Sequence, residues 1–154
     1  MDLIAHLMFG IWMFKTYKNF SLIILSCIFD IDHVIGYVYD RRKRIRLEIP
    51  KLYQLAYRPR SWFHSLPVFV VLVVISSFFI DWKLAFIALA SHLVMDASDK
   101  VGIWVFPFIS KKKIRGSLPV SYLVENPKSL EKHKRGHVPS LAVATIFLLL
   151  TLLT

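Results

Sequence analysis

Apolar and polar positions along this chain fall into blocks. Five apolar runs, Leu3 to Phe14, Phe20 to Tyr39, Trp62 to Ile80, Leu84 to Phe108 and Val138 to Leu153, are separated by polar or basic stretches. None of them alternates as a half-buried strand would. A helix crossing a bilayer needs about 20 mostly apolar residues. The second, third and fourth runs meet that length and the fifth just reaches it. The first is short enough to require tilting, continuation through Lys15 or a re-entrant path. The pattern predicts an all-α fold, a multi-pass transmembrane helical bundle of four to five membrane segments forming a single domain over residues 1–154.

Charge sharpens this expectation. The chain carries 20 Lys and Arg against 10 Asp and Glu, a formal net charge of +10. The basic residues are concentrated. One block runs Arg41, Arg42, Lys43, Arg44, Arg46 and on to Arg58 and Arg60; the other runs Lys111, Lys112, Lys113, Arg115 and on to Lys134 and Arg135. Such blocks suit nucleic acid. With 56% hydrophobic residues and a mean hydropathy of +0.54, loops between membrane spans explain them better. Two runs and a tight turn at Asp81–Lys83 separate the blocks, so both are expected on one side, the cytoplasmic one. This implies a multi-pass protein of the cytoplasmic (inner) membrane. A spanning first segment would place the N-terminus inside and the C-terminus outside. The one cysteine, Cys27, lies in an apolar run and reads as a small core residue. Asp2 and the lack of a basic n-region or cleavage site argue against a cleaved signal peptide.

The chemistry lies where the apolar runs are interrupted. His6, Asp30, Asp32, His33, His64, His92 and Asp96 sit inside or beside them. Ionisable groups in such segments are costly and are usually paired, metal-bound or in a wet cavity. His92 and Asp96, four apart, share one helix face, and Asp99 follows on the same stripe. Asp30 and His33 share a face as well, whereas Asp32 points elsewhere unless the helix unwinds there. Mixed carboxylate and imidazole donors suit zinc first, with manganese or iron as alternatives; magnesium would want fewer histidines. The lack of thiolates argues for an open site with water as a remaining ligand. Arg60 stands close enough to His64 to clamp a phosphate oxygen, though a flanking interfacial Arg is the plainer reading. His133 and His137 lie in a polar stretch and read as loop residues. Gly-rich phosphate loops, Gly-x-Ser-x-Gly elbows and CxxC pairs are absent, which removes nucleotide, serine-hydrolase and thiol readings.

Four ordered motifs carry a resemblance: Ala5-His6-Leu7; Phe29-Asp30-Ile31-Asp32-His33; Arg60 through His64-Ser65; and Ser91-His92 to Asp96, with Gly102 and Pro107 following. Over about residues 1 to 120 the chain resembles the prokaryotic inner-membrane metal-dependent hydrolases, among them the LexA-binding, inner-membrane-associated hydrolases. Phe29, Ser61, Phe63 and Asp99 depart from that pattern, and none of the four departures removes a proposed ligand. The resemblance implies a membrane-embedded hydrolase holding a divalent metal, with a phosphoester, lipid-like substrate cleaved at the cytoplasmic side by metal-activated water. It implies His6, Asp30, His33, His64, His92 and Asp96 as ligands, and Asp32 as ligand, bridging group or general base. Asp32, Arg60 and His64 would form the catalytic group, with Arg60 on the anionic part of the substrate. Expected partners are the lipid bilayer, this substrate and a cytosolic protein held by the basic loops; nucleic acid is not among them. Two rival readings use the same residues differently: a metal-ion transporter or sensor, and a membrane scaffold for a cytosolic regulatory protein.

Overall fold

The computed structural model describes residues 3–32, 61–99, 101–110, 112–118 and 138–154. Five α-helices dominate them: α1 (Leu3–Tyr17), α2 (Ser21–Cys27), α3 (Leu66–Ser77), α4 (Trp82–Ala97) and α5 (Val138–Leu153). A 3₁₀ turn, Ile28–Asp30, follows α2, and α-helical backbone resumes at Ile31 and Asp32. Two short strands, β1 (Ile103–Trp104) and β2 (Lys113–Ile114), pair antiparallel, with Ile103 opposite Ile114.

The membrane expectation is not met. Among the described residues no helix is long and apolar enough to cross a membrane. The longest, α4 and α5, have 16 residues. At 1.5 Å per residue that is about 24 Å, against a hydrocarbon core of about 30 Å. The apolar runs are longer than the helices inside them. Phe20 to Tyr39 is broken at the 3₁₀ turn. Trp62 to Ile80 becomes helical only at Leu66 and stops at Ser77, and Leu84 to Phe108 leaves the helix after Ala97. The multi-pass transmembrane bundle, its inner-membrane localisation and its inside–outside map are corrected accordingly, and the β1–β2 pair removes the all-α description. All of the first basic block, and Lys111, Lys134 and Arg135 of the second, fall outside the described residues.

Local signals set the helix ends. Lys18, with φ of 54°, turns the chain out of α1, and its N–H bonds the Phe14 carbonyl at 2.7 Å. Asp81 caps α4, accepting from the Lys83 N–H at 2.8 Å. Pro67, in the first turn of α3, costs no helical hydrogen bond there.

α1 packs on α2 and α5, and α4 lies against both α2 and α3. The core draws Ala5, Phe9 and Met13 from α1, Leu22 and Leu25 from α2, and Ala85, Ala88, Leu89 and Leu93 from α4. These recur at helical spacing, so each helix buries one stripe. The buried stripe of α4 continues into His92 and Asp96. α3 is apolar on every side; it packs one face and leaves Val70, Val71, Val74 and Ile75 exposed. Gly10 allows α1 to approach α2: a Cβ there would lie 2.1 Å from Ser26 Oγ and 2.9 Å from the Ile23 Cα.

Candidate metal centre

Four stretches of chain bring side chains together. α1 supplies His6, the 3₁₀ turn and the helical residues that follow it Asp30 and Asp32, the turn before α3 His64, and α4 His92 and Asp96. Asp96 is the hub. Its Oδ2 lies 3.4 Å from Nε2 of both His64 and His92, and its Oδ1 lies 3.4 Å from His6 Nε2. Asp30 Oδ1 is 3.9 Å from His64 Nε2 and 3.8 Å from His92 Nε2. His6, His64, His92 and Asp96 are essentially solvent-inaccessible, whereas Asp30 keeps 15% and Asp32 13% of side-chain exposure. Solvent therefore reaches the cluster on the Asp30–Asp32 side.

Two of the imidazoles are held from behind. His92 Nδ1 is 2.7 Å from the Ser26 carbonyl oxygen. A carbonyl can only accept, so Nδ1 donates and Nε2 presents its lone pair to the cluster. Ser26 is the penultimate residue of α2, just before the backbone tightens into the 3₁₀ turn that places Asp30. His64 Nδ1 lies 3.2 Å from Asp32 Oδ2. That oxygen also accepts from the Ser61 hydroxyl at 2.6 Å and the Ser61 N–H at 3.2 Å. The backbone of His64 is fixed too, because its carbonyl accepts from the Trp104 N–H at 2.9 Å. The β1–β2 pair thus anchors the segment that carries His64. Phe29 walls the site, its ring 5.1 Å from that of His92 and 5.8 Å from that of His64.

The electrostatics differ between the histidines. Burial is the main cause that pushes His6 down to about 4, helped by the neighbouring His92, so its ring is neutral near pH 7. Burial also opposes charge on His64, but the facing carboxylates of Asp30, Asp32 and Asp96 outweigh it and raise this histidine to about 9. Burial works against ionisation of Asp30; the His64 bond and the charges of His92 and His6 overcome it, and its carboxyl lies below the usual range.

The donor set fits a metal ion. For bonds of about 2.0–2.1 Å, neighbouring donors of a tetrahedral zinc stand about 3.3–3.4 Å apart. The contacts to Asp96 match this, and those to Asp30 are somewhat wider. Both nitrogens of His6 and Nε2 of His92 are buried without a hydrogen-bond partner. Nitrogen atoms 3.4 Å from a carboxylate yet outside hydrogen-bond geometry are what an ion between them would satisfy. The triads His6, Asp30, His92 and His64, His92, Asp96 each place one donor atom per residue within 4.8 Å of the others.

Of the residues expected from the sequence, His6, Asp30, Asp32, His64, His92 and Asp96 are brought together. His33 and Arg60 lie outside the described residues. Asp99, next on the α4 stripe, folds the following loop: its Oδ1 accepts from the N–H groups of Val101 and Gly102 at 2.9 and 3.1 Å. Ser26, Ser61, Phe29 and Trp104 were not among the expected site residues. Only Ser61 and Phe29 had a signal, as departures within motifs. Ser26 and Trp104 act through their backbones, which residue type does not report. The chain matches no family model, no curated protein and no solved structure.

Proposed function

We propose that this cluster binds a divalent metal ion, zinc foremost, and that the protein is a metal-dependent hydrolase acting on a phosphoester. One observation carries the reading. The inner nitrogens of His64 and His92 converge on Asp96 Oδ2, while their outer nitrogens face a carboxylate and a backbone carbonyl. Metal-ligating histidines are oriented in this way, and the outer partner raises their basicity. A purely structural polar cluster would be expected to hydrogen-bond His92 Nε2 and His6 rather than hold them 3.4 Å from a carboxylate outside hydrogen-bond geometry. Asp30, His64, His92 and Asp96 would hold the ion, with His6 beside it. Asp32 would serve as a positioning residue for His64.

A divalent ion there supplies Lewis acidity, lowering the pKa of water and polarising a phosphoryl oxygen. The partly open Asp30–Asp32 side gives access. The substrate class rests on the formal net charge of +10, which favours anions, and on Arg60, four residues before His64 in the sequence, whose guanidinium suits a phosphate oxygen.

The test is elemental analysis of the purified chain, followed by phosphomonoester and phosphodiester assays with and without chelator. We expect bound metal, chelator-sensitive hydrolysis, and loss of both in His92→Ala. A metal-loaded protein that cleaves no phosphoester would overturn the hydrolase reading. A protein that takes up no divalent ion would overturn the metal reading as well.

A further inference from the structure

We infer that the cluster is built for two metal ions bridged by Asp96, not for one. This rests on the metal-binding reading above and concerns the number of ions. The key feature is the pair His6 and His92. Their rings are stacked, with centroids 3.6 Å apart and planes inclined by only 13°. An imidazole nitrogen presents its lone pair in the plane of its ring, so an ion it binds at about 2.0–2.1 Å lies close to that plane. An ion shared by both rings would sit between them, about 1.8 Å out of each plane, half the ring separation. With a bond of about 2.05 Å, that is roughly 60° away from either lone pair. One ion cannot be ligated well by both histidines.

Asp96 is arranged as this division requires. Its Oδ2 faces His64 and His92, and its Oδ1 faces His6, all at 3.4 Å. A carboxylate with one oxygen towards each donor group is suited to bridging two ions about 3.5–4 Å apart, the spacing of two-metal hydrolytic sites. The first ion takes His64, His92, Asp96 Oδ2 and Asp30 Oδ1, a four-donor set. The second takes His6 and Asp96 Oδ1, with an Asp30 oxygen within 4.8 Å of a His6 nitrogen and so near enough to contribute. A second ion also accounts for His6, a fully buried histidine with neither ring nitrogen hydrogen-bonded. With fewer protein donors, the second position binds more weakly than the first.

The experiment is a metal titration of the metal-free full chain, using Zn²⁺ by calorimetry with elemental analysis and Mn²⁺ by electron paramagnetic resonance. We expect two ions per chain at saturation, in two steps, and an exchange-coupled Mn²⁺ spectrum. His6→Ala and the bulkier His6→Gln should each hold one ion with the affinity of the tighter step, and give an uncoupled six-line spectrum. A wild-type chain that saturates at one ion overturns the two-ion inference and leaves the metal reading standing. Two ions retained in both His6 variants also overturn it. Uptake of no ion at all sinks both.

Discussion

Replacing Asp32 by Asn tests whether this residue acts through His64 or touches the metal itself. Asp32 Oδ2 receives two hydrogen bonds from Ser61 and lies 3.2 Å from His64 Nδ1. In that position it aims Nε2 at the cluster and strengthens it as a donor. Asn keeps the shape but removes the charge, and a charge-assisted hydrogen bond is roughly twice as strong as a neutral one. Loss of such an outer partner weakens metal affinity by about 10–100-fold, or roughly 1.4–2.8 kcal/mol. Ser61→Ala deletes the 2.6 Å hydroxyl bond to Asp32 and the 3.1 Å bond that the hydroxyl oxygen accepts from the Phe63 N–H, and leaves the Ser61 N–H on Asp32 in place, so it should cost about tenfold, the lower end of that range. Competition for Zn²⁺ against a chromophoric chelator measures both, with circular dichroism confirming the fold. An affinity within twofold of wild type in Asp32→Asn would refute the orienting role. Loss of one whole equivalent of metal at millimolar concentration would refute it in the other direction, making Asp32 a ligand.

Three further expectations follow from the packing and the electrostatics. The metal-free protein should be most stable near pH 6.5: the His64 contribution is present below its ordinary 6.5 and lost as pH rises through about 9, while His6, held at about 4, destabilises the fold as pH falls below 6.5. Asp30, depressed below 3.8, adds a further loss at the acid end, and urea melts showing a monotonic trend from pH 4 to 9 would contradict this. Gly10→Ala places a Cβ 2.9 Å from the Ile23 backbone and should cost about 1–3 kcal/mol by overpacking, read as a lower urea midpoint; wild-type stability would show that α1 and α2 separate freely. Gly102→Val meets a φ of +68° and the Ile114 carbonyl 2.1 Å from the new Cβ, so it should destabilise by more than about 1 kcal/mol and weaken metal binding through His64, as chelator competition would reveal.

The sequence carried the cluster better than the architecture. His92 and Asp96 were legible as a pair because a four-residue spacing fixes a shared helix face, and they occupy the buried stripe of α4. Asp30 and Asp32 were conspicuous as carboxylates among apolar neighbours; that they diverge, Asp30 into the cluster and Asp32 behind His64, follows from the 3₁₀ turn. The membrane reading failed for a related reason. Hydropathy registers a run of apolar residues and is blind to where the backbone enters or leaves a helix. Cys27 to Ile28, Ser65 to Leu66 and Ala97 to Ser98 are all such points inside apolar runs. Asp99 shows the limit of spacing arguments: it lies on the right stripe by count, but α4 has ended two residues before it.

Ser26 divides its work between two parts of itself. Its hydroxyl turns back onto the Leu22 and Ile23 carbonyls and borders Gly10 where α1 crosses α2, while its main-chain oxygen holds His92. Position 26 is therefore limited by volume, whereas its hold on His92 belongs to an atom that every amino acid possesses. Ala there should preserve the centre and Val should wedge the helices apart. A comparison of side-chain chemistry would not separate these two replacements, since Val and Ala are equally unable to coordinate an ion, yet only one of them fits.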